Sequence, residues 1–266
     1  MKVSLIVPTG NRHLLLRRAL AQIARQTYRG EIEVVVVDGG SRPCAWVSEI
    51  AFRDASGRRT FEPIYVRAGE LTTVGARRNL AVETATGDVI AHWDDDDFYA
   101  PPYLEVLLRW FEEEPTDLGG MCQFWHYDFL LKRGWKTNLW ETKDQPYGAC
   151  MIYPKRMWQE VGRFEDLQRG EDDAFVRAFL TRGLAVRALR RPDLFVYLRH
   201  TRNVSWASDP ILHPQWTASA RAVLESEITF YDDLAELVHQ PTERELGVQF
   251  HLPSDLRTFV PPKRGR

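Results

Sequence analysis

The sequence predicts an α/β fold: a mixed, mainly parallel sheet with helices on its faces. Three observations predict it. Short β-branched runs at 3–7 and 33–37 read as strands buried on both faces. Between them lies a helix with Leu16, Ala19, Leu20 and Ile23 on one side. A polar turn closes each strand, Pro8-Thr9-Gly10-Asn11-Arg12 after the first and Asp38-Gly39-Gly40-Ser41 after the second. Strand, helix, strand, with a carboxylate just past the second strand, is how a nucleotide-binding sheet begins, and such sheets bind ligands beyond the carboxyl ends of their strands. Asp38 would accept a hydrogen bond from a base or ribose, or would cap the turn before Gly39-Gly40.

Bulk properties narrow the class. A chain of 266 residues is ample for one large core and short for two. A net charge of -2 argues against a general nucleic-acid binder. Three widely spaced cysteines, with no Cys-x-x-Cys, suggest a reducing compartment and no disulfide framework. The apolar start is cut short by Pro8, and no run reaches the ~18 apolar residues of a membrane span, so a cytoplasmic location without a transmembrane segment is expected. Neither Gly-x-Gly-x-x-Gly nor Gly-Lys-Ser/Thr occurs. Dinucleotide enzymes and P-loop ATPases are thereby disfavoured, and phosphates would have to be held by a metal and side chains.

Residues 45–53 read as a second helix and 63–66 as a third strand. Thr72-Thr73 caps a helix running to Thr86, where Gly87 stops it. That helix carries Arg77-Arg78-Asn79, whose arginines would bind a diphosphate or form a solvated face. A strand at 88–93 then runs into His92-Trp93-Asp94-Asp95-Asp96-Asp97-Phe98-Tyr99. Four adjacent carboxylates repel one another. A hard divalent cation such as Mg²⁺ or Mn²⁺ removes that cost, and a solvated acidic loop is the alternative. An EF-hand is excluded, because its fifth and sixth positions would be Phe98 and Tyr99.

After a turn at Phe98 comes an amphipathic helix over 101–114, then a strand at 119–125. The segment 125–147 is aromatic and polar, with Arg133-Gly134 as a hairpin turn. A strand at 148–154 leads to a helix, and Glu171-Asp172-Asp173 opens another, where the helix N-terminus favours anions. A late strand at 194–200 ends in His200. Residues 214–239 are patterned as a helix, and 261–266 form a basic tail.

Four segments occur in order: Val3-Ser4-Leu5-Ile6-Val7-Pro8-Thr9, Val36-Val37-Asp38-Gly39-Gly40-Ser41, Ala76-Arg77-Arg78-Asn79, and Thr86-Gly87-Asp88-Val89-Ile90-Ala91-His92-Trp93 with the acidic run. Together they resemble the nucleotide-sugar half of the family-2 glycosyltransferases of GT-A (Rossmann-like) fold. The resemblance implies a GT-A domain over 1–205, with a nucleotide-sugar half at 1–100 and an acceptor half at 101–205. Residues 206–266 would be a C-terminal helical extension and tail of the same domain, packed on the acceptor side or forming a partner surface such as that of a homodimer.

The same resemblance assigns roles. Pro8, Thr9 and Arg12 would line the nucleoside pocket, and Asp38 would meet the base, most often uracil. Arg78 and Asn79 would lie near the diphosphate or its metal. The family's Asp-x-Asp motif falls on Asp94 to Asp97, with Asp96 as the principal metal ligand. Asp94 is a second candidate ligand or a sugar contact, and Asp95 stands where a small residue is common. Glu171-Asp172 resembles the family's second signature, with Asp172 as general base and Glu171 and Asp173 as fallbacks. His200 would return to the metal, with His213 as its rival, and Arg199 or Arg202 would hold the leaving diphosphate. Trp125, Trp140 and Tyr147 would stack on the acceptor or pack in the core.

The implied activity is inverting transfer of a sugar from a nucleotide diphosphate sugar, UDP-linked by preference, to an acceptor hydroxyl with Mn²⁺ or Mg²⁺ as cofactor. Two alternatives remain at this level: a metal-dependent nucleotidyltransferase acting on a sugar phosphate, and a non-catalytic nucleotide-sugar binder.

Overall fold

The strand Lys2–Thr9 sits at the centre of a five-stranded sheet ordered Ile152–Pro154, Val89–His92, Lys2–Thr9, Glu31–Asp38, Ile64–Arg67. The last four run parallel, and Ile152–Pro154 is antiparallel to its neighbour. The computed structural model describes residues 1–53, 59–69, 72–129, 131–136, 144–200, 203, 214–224 and 227–231.

The period-two alternation of a strand sorts the side chains onto two faces. Val3, Leu5, Val7, Val34 and Val36 point to one face, where the helices His13–Ala24 and Tyr103–Glu113 bring Leu16, Leu20, Ile23, Leu104 and Leu107. Ile6, Val35, Val37 and Ile90 point to the other. There the helices Val74–Thr84, Lys155–Val161 and Glu171–Thr181 supply Ala81, Val82, Met157, Val161, Phe175 and Phe179. Each such fully buried aliphatic side chain contributes about 1.5–3 kcal/mol. Having both faces covered is what lets these strands be almost wholly apolar.

A second sheet, ordered Arg133–Lys136, Trp125–Asp128, Phe195–Arg199, Phe98–Tyr99, stands beside the first. The helix Pro214–Leu224 closes it, with Ala220 and Leu224 packed among Tyr127, Phe129, Val196 and Leu198. Glu227 ties this C-terminal segment back to the first helix by ion pairs to Arg18 and Arg25. Among the described residues no helix is long and apolar enough to cross a membrane.

Several elements differ from the sequence reading. Residues 45–53 hold only a short 3-10 turn, Ala45–Glu49, followed by the strand Phe52–Arg53. The helix capped by Thr73 ends at Thr84 and not at Thr86, because the Thr86 amide and hydroxyl are taken by the Glu33 carboxylate at 2.7 and 2.5 Å. Phe98–Tyr99 is a strand of the second sheet rather than a turn, paired with Phe195 and Val196. The run 119–125 breaks at Phe124, which is buried in the same apolar cluster as Leu16 and Leu104. Met121–Gln123 pairs with Leu189–Arg190, whereas Trp125–Asp128 joins the second sheet.

Arg133 and Gly134 pair with Asp128 and Tyr127 inside a strand and are not its turn. Gly134 is needed there, since a Cβ would stand 2.8 Å from that of Ala220. Residues 148–150 form a 3-10 turn ahead of the short strand Ile152–Pro154. At the C-terminus the helix is described from Pro214 to Leu224 and helical residues recur at 227–231, with 225–226 outside the described residues. Positions 232–239 and the 261–266 tail lie outside the described residues.

Candidate active site

The carboxyl ends of three adjacent strands meet at one place. Thr9 is paired with Asp38, and Ile6 with His92, so the turns that follow these strands lie side by side. Facing them is the start of the helix Glu171–Thr181. A single cavity of about 360 Å³ is lined by Pro8, Thr9, Arg12, Arg77, Arg78, Asp94, Asp95, Asp96, Tyr147, Glu171 and Asp172. The two acidic clusters, 78 positions apart in the chain by their first aspartates (172 minus 94), therefore share one space.

In the first cluster each carboxylate has its own protein partners. Asp95 accepts from Thr9 Oγ1 at 2.5 Å and from Arg12 Nη1 at 2.7 Å. Asp96 accepts from the same Arg12 nitrogen at 2.6 Å and lies 3.1 Å from His200 Nε2. Asp97 accepts from the Leu198 amide at 3.0 Å, and Asp94 pairs with Arg78 Nη2 at 3.1 Å. Such pairing is required because Asp95, Asp96 and Asp97 are buried, where an unpaired anion costs several kcal/mol. Burial, reinforced by Asp96 and Asp94, drives the Asp97 carboxyl well above its usual range. Burial also acts to raise Asp96, but Arg12 and then His200 outweigh it and hold that group down.

Ligand oxygens of Asp94, Asp96 and Asp97 lie within 4.8 Å of one another. Three carboxylates at that spacing are a hard, anionic donor set and fit a divalent cation of the Mg²⁺ or Mn²⁺ kind. His200 is held at this edge by Asn203, whose side chain accepts from the His200 amide at 2.6 Å and donates to the Leu198 carbonyl at 3.0 Å.

The second cluster is built differently. Gly170, at φ +80°, turns the chain into the helix, a conformation that favours glycine. Glu171 is buried and pairs with Arg78 Nε at 3.3 Å. Burial raises its carboxyl and Arg78 opposes that rise. Asp172 is half-buried and, among the described residues, accepts only from the Asp173 amide, at 2.9 Å. It lies directly over Gly148, where a Cβ would come within 2.1 Å of Asp172 Oδ2. Of the pair, Glu171 makes the direct ion pair to Arg78, and Asp172 feels that charge only through space.

Arg78 joins the two clusters. Its three nitrogens reach Glu171, Asp94 and His92 Nδ1, the last at 3.0 Å. Burial works against its charge, but Asp94 and Glu171 outweigh that and raise its pKa. His92 is driven well below its usual pKa by burial and by Arg78.

Some expected residues are elsewhere. Asp38 is fully buried, and its oxygens accept from the Gly40 and Cys44 amides and the Tyr65 hydroxyl, each at 2.8 Å. It holds its own turn rather than facing the cavity. Asn79 is turned away from the cavity, onto Phe164 and Trp158. Trp125 packs against the apolar cluster of Tyr127, Phe129, Val196 and Leu198 beneath the helix Pro214–Leu224, while Tyr147 does line the cavity. Trp140, Arg202 and His213 lie outside the described residues.

The cavity also receives Gln168, Arg169, Tyr197 and Asn203, to which the sequence reading gave no role there. Arg169 adjoins Gly170-Glu171 and Asn203 follows His200 by three positions, so proximity to a motif was the available signal. Tyr197 gave none, because it reads as one residue of a buried strand.

A family model described as glycosyl transferase family 2 matches residues 4–191. The glycosyltransferase GlyA of Streptococcus pneumoniae is 30% identical over 194 residues, covering 64% of this chain and 27% of that protein. The chain thus spans about a quarter of that relative's length. Among solved structures, S. aureus TarS 1-349 in complex with UDP-GlcNAc superposes with a TM-score of 0.63 at 18% identity, covering 89% of this chain and 70% of that one. The mannosyltransferase PcManGT from Pyrobaculum calidifontis, in complex with GDP-Man and Mn2+, superposes with a TM-score of 0.54 at 18% identity, covering 88% and 73%. At these identities the two structures establish a shared GT-A fold.

Proposed function

The chain belongs to glycosyl transferase family 2, and from that premise we propose that it is an inverting glycosyltransferase moving a sugar from a nucleotide diphosphate sugar, a UDP-sugar by preference, to an acceptor hydroxyl. The observation that carries this reading is the meeting of Asp94–Asp96 and Glu171–Asp172 in one cavity. A nucleotidyl transfer has no use for a free carboxylate across the cavity from the acidic turn, whereas attack by a hydroxyl does.

Pro8, Thr9 and Arg12 form the nucleoside end of the cavity in this reading. Asp94, Asp96 and Asp97, with His200 beside them, would hold Mn²⁺ or Mg²⁺. That ion would neutralise the charge that builds on the departing diphosphate. Arg12 and Arg77, both lining the cavity, add fixed positive charge on the same side.

Asp172 accepts the proton of the acceptor hydroxyl while that oxygen bonds to the anomeric carbon and the bond from carbon to the diphosphate oxygen breaks. Attack from the face opposite the leaving group inverts the centre. A carboxylate is a far weaker base than the alkoxide it would have to generate, so the proton moves late and together with bond formation. Glu171, tied to Arg78, orients the helix start. Tyr147 and Tyr197 offer aromatic faces to the acceptor.

The test is product analysis. Purified protein is incubated with Mn²⁺ and a panel of nucleotide sugars, selected first by thermal shift. Release of a nucleoside diphosphate with an inverted product is expected. Release of pyrophosphate from a nucleoside triphosphate and a sugar phosphate would overturn the reading in favour of nucleotidyl transfer.

A further inference from the structure

The helix Val74–Thr84 places Asn79 one turn beyond Gly75, both against the segment that leads into the helix Glu171–Thr181, while the adjacent Arg78 reaches that helix's first residue, Glu171. Asn79 makes three hydrogen bonds there. Its Nδ2 donates to the Phe164 carbonyl at 2.8 Å, and its Oδ1 accepts from the Phe164 amide at 2.9 Å and from Trp158 Nε1 at 3.0 Å. One side chain thus takes both backbone groups of a single residue, which fixes that residue's position and its rotation. Phe164 in turn stacks on Phe175, ring centroids 4.1 Å apart, and Phe175 stands one turn after Asp172 on the same helix.

Two more ties fasten the same loop. The Gly75 amide donates to the Leu167 carbonyl at 3.1 Å, and the Thr73 hydroxyl bonds Asp166. Gly75 permits this contact, since a Cβ there would fall 1.9 Å from the Glu165 carbonyl oxygen. Beyond the loop, Arg78 binds Glu171 and Asp94 together. Asn79 has no contact with the cavity's acidic turn, so its role is not that of a diphosphate ligand.

We propose that Asn79 is a positioning residue: by clamping Phe164 it sets where the Asp172 carboxylate stands relative to the acidic turn. This rests on Asp172 acting as the base, as proposed above. Proximity terms are steep, and a displacement of about 1 Å can cost 10²-fold in rate. Loss of the clamp would therefore be read in turnover and not in donor affinity.

The experiment compares Asn79→Ala and Asn79→Asp with the wild type. Asn79→Asp keeps the size and the acceptor oxygen but loses the donor to Phe164, and it serves if the alanine variant fails to fold. Three quantities are measured: Mn²⁺-dependent UDP affinity by calorimetry, turnover, and the rate of tryptic cleavage after Arg163 and Arg169, which bracket the clamped loop. The proposal expects faster cleavage, UDP affinity at the wild-type level, and at least a tenfold loss of turnover. It also expects Asn79→Ala to cost less than about twofold when added to Asp172→Asn, because the two act through one group. A rise in the UDP dissociation constant with cleavage unchanged would overturn it and make Asn79 a donor contact. Unchanged turnover with a loosened loop would reduce Asn79 to a structural role and also overturn it. Pyrophosphate release by the wild type would remove the glycosyl-transfer reading alone, and the cleavage and UDP measurements would still decide between clamp and donor contact.

Discussion

The acidic turn and the acidic helix start are opposites in construction. Asp95, Asp96 and Asp97 are buried, and each is already engaged by Thr9, Arg12, His200 or the Leu198 amide. Asp172 is half-buried, sits over a glycine, and makes no direct ion pair among the described residues, feeling Arg78 only through space, while its neighbour Glu171 is tied to Arg78 directly. A group that must hold charge still is fixed from several sides. A group that must take up a proton and give it back is left with one side open. Division of labour between two carboxylate clusters follows from their surroundings and not from residue type.

The largest blow to this contrast is Asp96→Asn. It removes the carboxylate facing both Arg12 and His200, and both Mn²⁺-dependent UDP affinity and turnover should fall, the latter by about 10³-fold. Calorimetry and an assay of released nucleoside diphosphate check this. Next is Arg78→Met, which leaves the buried Glu171 and the half-buried Asp94 without their shared cation. Loss of one partner from a buried pair costs about 3–5 kcal/mol, to be read as a lowered denaturant midpoint.

Gly148→Ala sharpens the comparison from the other side. Its Cβ would collide with Asp172 Oδ2, so turnover should drop about 10- to 100-fold while UDP affinity holds. The smallest effect is a control far from the cavity. Glu33 is a carboxylate that only stabilises: burial raises its pKa, but bonds from Ser4, Thr86 and Lys2 outweigh that and lower it from 4.5 to about 2. Its contribution is therefore fully present above pH 4.5 and is lost as pH falls toward 2. Glu33→Gln should cost about 1–3 kcal/mol at neutral pH. In melts, the gap to wild type should close between pH 4.5 and pH 2.

What could be read from the sequence follows the same physical divide. The five-stranded sheet was legible because strands buried on both faces demand β-branched runs such as Glu33-Val34-Val35-Val36-Val37, and polar turns must follow them. The acidic turn and Glu171-Asp172 were legible because clustered like charge needs a reason. Of the second sheet only the strand at 194–200 was legible. Trp125–Asp128 and Arg133–Lys136 are short and aromatic, and Gly134 looks like a turn residue although it serves close helix approach. Asn79 and Asp38 were identified as polar residues of consequence, but only coordinates reveal that their bonds go to Phe164 and to the 40–44 turn. Side-chain direction across a helix or at a strand end depends on partners far away in the chain, and local pattern does not carry it.

The most direct measurement is Asp172→Asn assayed for two quantities at once, Mn²⁺-dependent UDP affinity and turnover. The account predicts affinity at the wild-type level with turnover reduced by about 10²- to 10⁴-fold. Turnover at the wild-type rate, with affinity intact, would contradict it.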